Sequence, residues 1–230
     1  MGYICQIVIY PPEVEEFLQA YDSVLLDPRG IIKLFPAEFY HSLDNTDLRV
    51  WCICRAIYQL PTIELIDWLQ TNFNLDKTIE IGAGNNYLYH HLNIKGTDNY
   101  SEQIPKVKLT HELLNQPSTN PPPKVEKIEA TAAIEKYQPE TVITSWMTLK
   151  VNEPDDGVLK DTASHIDAGH RYAPDETEIL DTGVNYVFIG NDFIHSDRKI
   201  MNRPHETYYF DWLVSRGKHP EKNCVYVWNS

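Results

Sequence analysis

The chain has 230 residues, 42% hydrophobic, 11% aromatic and 23% charged, a globular composition that excludes a disordered, collagenous or low-complexity protein. At this length about 70% of the unfolded surface is buried on folding, enough for a core without staples. With 20 basic against 33 acidic residues the net charge is −13, a field that repels phosphate backbones and disfavours nucleic acid as a partner.

The first 76 residues read as a mainly helical extension or cap, followed by an α/β domain over 77–230. Residues 4–10 suit a short strand, and the start MGYICQIVIYPPEVEE lacks the basic opening and small-residue cleavage site of a signal peptide. A helix is expected from Pro12 to about residue 21, with Glu13, Glu15 and Glu16 near its positive end. Asp44 or Asn45 is placed to cap a helix reaching about Tyr58. Pro61 and Thr62 precede a stripe of Leu65, Ile66, Trp68 and Leu69 at helical spacing. Cys5, Cys52, Cys54 and Cys224 are scattered and include only one C-x-C, so core packing is favoured over zinc or disulfides. No run approaches the ~18 apolar residues that span a bilayer, and a cytoplasmic setting without a membrane is expected.

From Lys77 short apolar runs alternate with helix-like pieces. Strands are expected at 78–81, 94–97, 125–130, 141–146, 184–189, 207–214 and 224–228, with helices at 86–92 and 131–137. Such alternation implies βαβ units and a parallel sheet. The last two runs are joined by only SRGKHPEKN, too short for a helical crossover, so they should pair antiparallel. QPSTNPPPK (116–124) reads as a surface connection, because three prolines interrupt regular structure. The fold expected is a Rossmann-like, seven-stranded, mostly parallel sheet with an antiparallel C-terminal strand and a helical N-terminal extension.

The strongest local signal is Thr78-Ile79-Glu80-Ile81-Gly82-Ala83-Gly84-Asn85-Asn86. An apolar strand ends in Gly-x-Gly and leads into a helix, where glycines admit a close ligand and the helix start offers free N–H groups. Glu80 sits in an apolar strand, which costs free energy unless it meets a ligand or a backbone donor. Asp98, sixteen positions after Gly82, closes the next strand in Gly96-Thr97-Asp98-Asn99, well placed for ribose hydroxyls.

This segment resembles motif I of the class I S-adenosylmethionine-dependent methyltransferases, acidic-x-Gly-x-Gly-x-Gly. YQLPTIELIDWL, VEKIEATAAIEKYQPETVITSW and YVFIGND…RPH resemble a bacterial and phage branch of that fold. The resemblance covers roughly 77–230 and implies S-adenosyl-L-methionine as cofactor. It places Glu80, Gly82, Ala83, Gly84, Asn85, Asp98 and Asn99 around that cofactor. Ala130 then falls near the adenine, and Ser145 and Trp146 near the methyl group. Asn86 replaces the third glycine. Ser145-Trp146-Met147-Thr148 lacks the Pro-Pro-aromatic element of enzymes that methylate nucleic-acid amines.

Methyl transfer needs positioning, and a base where the nucleophile loses a proton. Asp192 and His195, after the fifth strand, and His170, in a polar stretch (148–183) expected to overhang the site, are the catalytic candidates. No metal site is expected, because Asn191, Asp192, Asp155 and His195 lack tight ligand spacing. A small-molecule or protein acceptor is favoured. The alternatives are a non-catalytic interaction protein on the same fold and, more weakly, a nucleic-acid methyltransferase. The latter rests only on Arg198, Lys199, Arg203, Arg216, Lys218 and Lys222 near the C-terminus.

Overall fold

Strands buried on both faces build the sheet. In the computed structural model, which describes residues 10–113, 116–150 and 171–230, Tyr186 and Phe188 face one apolar layer while Val187 and Ile189 face the other. A strand buried on both faces is the signature of a parallel sheet covered by helices on each side.

Seven strands form this sheet: β2 (Thr78–Ile81), β3 (Lys95–Asp98), β4 (Glu126–Lys127), β5 (Thr141–Ser145), β6 (Asn185–Asn191), β7 (Glu206–Tyr209) and β9 (Asn223–Trp228). Their order is β4-β3-β2-β5-β6-β9-β7. Neighbours from β4 to β6 run parallel, and β9 runs antiparallel to both β6 and β7. The architecture is Rossmann-like, with the last strand antiparallel to both its neighbours.

Helices α1 (Pro12–Leu25), α2 (Ala37–His41) and α3 (Asn45–Cys54) form the N-terminal layer. Asp44 caps α3, its carboxylate accepting from Thr46 N and Asp47 N. The helix stops at Cys54, short of Tyr58, because Ala56 takes a left-handed φ of 51°. Helix α4 (Ile63–Asn72) is capped by Thr62 and lies on the sheet. Its Leu65, Ile66 and Leu69 share a core with Ile143, Val187 and Ile189. The N-terminal residues are also fastened by a two-stranded sheet, in which β1 (Gln59–Leu60) pairs antiparallel with β8 (Val214–Ser215).

Several expectations are corrected. The run at 125–130 yields only the two-residue edge strand β4, and Ala130 instead opens α7 (Ala130–Tyr137). The run at 207–214 is two strands in two sheets, β7 and β8. The strand at 141–146 ends at Ser145, since Trp146 has φ 53°. Helix α6 (Pro105–Leu113) was not expected. The end of the supposed overhang at 148–183 is helix α8 (Glu176–Asp181), whose Ile179 lies in the core beneath the sheet. Residues 151–170, with His170, lie outside the described residues, as does the strand expected at 4–10 apart from Tyr10.

Candidate functional site

The chain leaves β2 outward to β3 and β4, then returns to the other side of β2 for β5 and β6. The carboxyl ends of β2 and β5 therefore flank a topological switch, the crevice where open α/β sheets bind ligands. The glycine turn lies there. Gly82 (φ 68°) and Gly84 (φ 46°) take left-handed conformations that L-residues resist, and Ala83 N donates to Thr97 O at 3.0 Å. The third left-handed residue before α5 (Leu88–Leu92) is Tyr87 (φ 58°), not Asn86. Asn86 is buried instead, and its Oδ1 accepts from Tyr58 N at 3.4 Å.

Asp98 turns into this loop. Its Oδ2 accepts from Gly84 N at 3.1 Å and its Oδ1 from Tyr100 N at 2.6 Å. Burial raises its pKa, and these two N–H donors pull the other way. Glu80 is fully buried and its Oε2 accepts from Tyr89 N, in the first turn of α5, at 2.7 Å. Its other oxygen, Oε1, has no partner among the described residues. Burial lifts this carboxyl to about 8, so it is mostly protonated at neutral pH. Ser145 Oγ is likewise buried without a partner among the described residues. Asn85 spans Arg55 O and Asn120 N, and Asn99 donates to Glu129 and to Tyr172 O. Ala83 and Ala130 pack into core clusters.

Gly82, Gly84, Asp98, Ser145 and Trp146 line a cavity of about 70 Å³. Ligand pockets are roughly 300–1,000 Å³. In this conformation the cavity lacks the room for a nucleoside. A Cβ placed on Gly82 would lie 2.7 Å from Met147 Cε, and one on Gly84 3.6 Å from Thr119 Cγ2. Methionine is unbranched and yields easily. Thr119 is held more firmly, because its N donates to Glu102 and its O accepts from Gln103.

Beside this cavity, and sharing Tyr58, Trp146 and Met147 with it, opens a cleft of about 640 Å³. His195 lines the cleft. Its Nδ1 lies 2.9 Å from Asn191 N and 3.0 Å from Asn191 O. Burial, with Arg198 adding repulsion, pushes its pKa down to about 3, so the ring is neutral and a weak base. Asp192 lines neither cavity and accepts from the Tyr226 hydroxyl at 2.8 Å.

Arg198 is buried. It pairs with Glu176 at 2.7 Å, stacks 4.5 Å over Phe188 and donates to Met147 O. This arginine fixes the main chain of the residue whose side chain fills the glycine turn. The C-terminal cations do not act as a unit, since Arg203 pairs with Asp181 while Arg216 and Lys218 line the cleft.

Of the residues expected at the site, the structure gathers Gly82, Gly84, Asn85, Asp98, Asn99, Ser145 and Trp146 around the small cavity. It adds Met147, Thr119 and Tyr58 there, and sets Arg216, read in the sequence only as part of a basic cluster, in the adjoining cleft. No local pattern marked them, because Tyr58 and Arg216 meet only through the pairing of β1 with β8. Among the described residues no helix is long and apolar enough to cross a membrane, and no group of three or more His, Cys, Asp or Glu is placed to hold a metal. Comparison with protein families, curated proteins and solved structures finds no match to the chain.

Proposed function

We propose that the chain is an S-adenosyl-L-methionine-dependent methyltransferase in a closed conformation. The supporting observation is the glycine turn with Asp98 at the switch point of a seven-stranded sheet whose last strand is reversed. In this reading Gly82, Gly84, Asn85, Asp98 and Asn99 hold the nucleoside, and Ser145 and Trp146 border the reactive end. The acceptor, a small molecule or a protein side chain, enters through the adjoining cleft. Binding requires Met147 to swing off Gly82 and the 116–124 connection to retreat.

Calorimetric titration with S-adenosylmethionine and with its demethylated product tests this reading. Binding of at least one, weakened by Asp98→Ala, is expected. No heat with either ligand and no thermal shift removes it.

The blocked volume favours a second reading, an interaction protein that keeps the fold without the cofactor. A Met147→Ala/Thr119→Ala double variant separates the two. Cofactor binding that appears or tightens on enlargement supports the closed-enzyme reading. A double variant that folds and still binds neither compound supports the interaction protein.

A further inference from the structure

The 640 Å³ cleft falls within the size range of small-molecule sites, and its charge is unusual for so acidic a chain. Arg49, Arg216 and Lys218 line it, and none has a carboxylate within 4.0 Å among the described residues. The two arginines are anchored to each other through the main chain, Arg49 Nε donating to Arg216 O at 3.0 Å. Neither guanidinium has a carboxylate to neutralise it, so an anion that enters the cleft meets positive charge with no competing ion pair. The acids on the lining do not supply one. Glu102 is engaged with Thr119 N, and Asp197 is exposed and makes no ion pair among the described residues.

Flat surfaces surround these charges. The Arg216 guanidinium lies 3.5 Å over the Tyr58 ring, Tyr58 stands 6.0 Å from Trp146, and Trp146 meets the neutral His195 ring edge to face at 5.1 Å. Phe193 is 66% exposed on the rim, an apolar area that solvent does not favour.

We infer that this cleft is a binding site for a small planar anion, an aromatic ring bearing a carboxylate or phosphate. The ring packs against Tyr58, Trp146 and Phe193, and the anionic group is held by Arg49 and Arg216, with Lys218 at the mouth. The inference does not depend on the cofactor reading, since it uses no atom of the glycine turn. Where both hold, the planar anion is the methyl acceptor.

The test is calorimetry and tryptophan fluorescence with 1-naphthoate, its neutral isostere 1-naphthamide, phenyl phosphate, adenosine monophosphate and inorganic phosphate, all without cofactor. Naphthoate or phenyl phosphate should bind at least about tenfold tighter than naphthamide, and tighter than inorganic phosphate. Tighter binding of adenosine monophosphate than of phenyl phosphate, weakened by Arg216→Gln and not by Asp98→Ala, identifies the ring as a nucleobase within the same class. Arg49→Gln and Arg216→Gln should each weaken binding about tenfold, while Asp67→Asn, at an exposed position outside the cleft, leaves it unchanged. Arg216→Gln is read only alongside its melting temperature, and Arg49→Gln provides the same reading if Arg216→Gln unfolds. Three results overturn the inference: no aromatic anion binds at millimolar concentration, acid and amide bind equally, or folded variants lacking the arginines bind as well as the unaltered protein.

Discussion

The glycine-turn cavity and the arginine-lined cleft share a wall yet are built on opposite principles. The first is closed and centres on a turn and a strand end close in sequence, with a buried acid, Glu80, kept neutral in the strand that leads into the turn. The second is open, assembled from chain segments more than 150 residues apart, and contains a buried base, His195, also kept neutral. In both places burial disfavours the charged form of a titratable side chain, raising the acid and lowering the base. Part of the void that glycines leave at a switch point is here filled by the protein's own methionine.

The largest way to break this contrast is to remove the pair that holds the wall. Glu176→Gln strands the buried Arg198 guanidinium, whose partners are Glu176 and Met147 O. Unfolding in urea should show a loss of about 3–5 kcal/mol, accompanied by altered environments at Met147 and Trp146. Wild-type stability would show that Arg198 does not organise the wall.

Met147→Ala acts on the wall itself. Met147 is 7% exposed and belongs to the main core cluster. Truncation should cost about 2–5 kcal/mol while joining the small cavity to the cleft, which xenon uptake or a crystal structure would detect. A loss well below this range would mean that the side chain had already left Gly82 in solution.

The pH dependence of stability sharpens the comparison, with a slope of at most about 1.4 kcal/mol per pH unit for each group. Glu80 is raised from its ordinary 4.5 to about 8, so the folded state holds its proton more tightly. That contribution is complete below about 4.5 and is lost as pH rises through about 8. His195 is lowered from 6.5 to about 3, so its contribution is complete above 6.5 and is lost as pH falls through about 3. Glu80→Gln should flatten the decline between pH 5 and 8, and His195→Asn the decline between pH 6 and 3. Unchanged slopes in both variants would refute the assignment of neutral forms.

Much of the small cavity was legible because its chemistry is local. Two glycines, an acid before them and an acid at the next strand end lie within about twenty residues of sequence, and a left-handed turn has few other residue choices. The register of the turn was less legible, since the left-handed step fell on Tyr87, where no residue preference announces it. The strands read correctly where burial on both faces made continuous apolar runs, as in β6 and β9. They misread where a proline-rich approach left β4 two residues long, and where 207–214 divided between two sheets. The cleft was not legible. Arg49, Tyr58, Trp146 and Arg216 carry no mutual spacing, and Arg216 looked like one member of a charged tail. Only the β1–β8 pairing sets it over Tyr58.

The shared wall of Tyr58, Trp146 and Met147 has a thermodynamic consequence. If one cavity fills only when Met147 changes rotamer, the neighbouring cavity is reshaped in the same event. Linkage then requires the factor by which the first occupant alters the affinity of the second to equal the factor in reverse. Titrations run in either order must therefore close the same free-energy cycle.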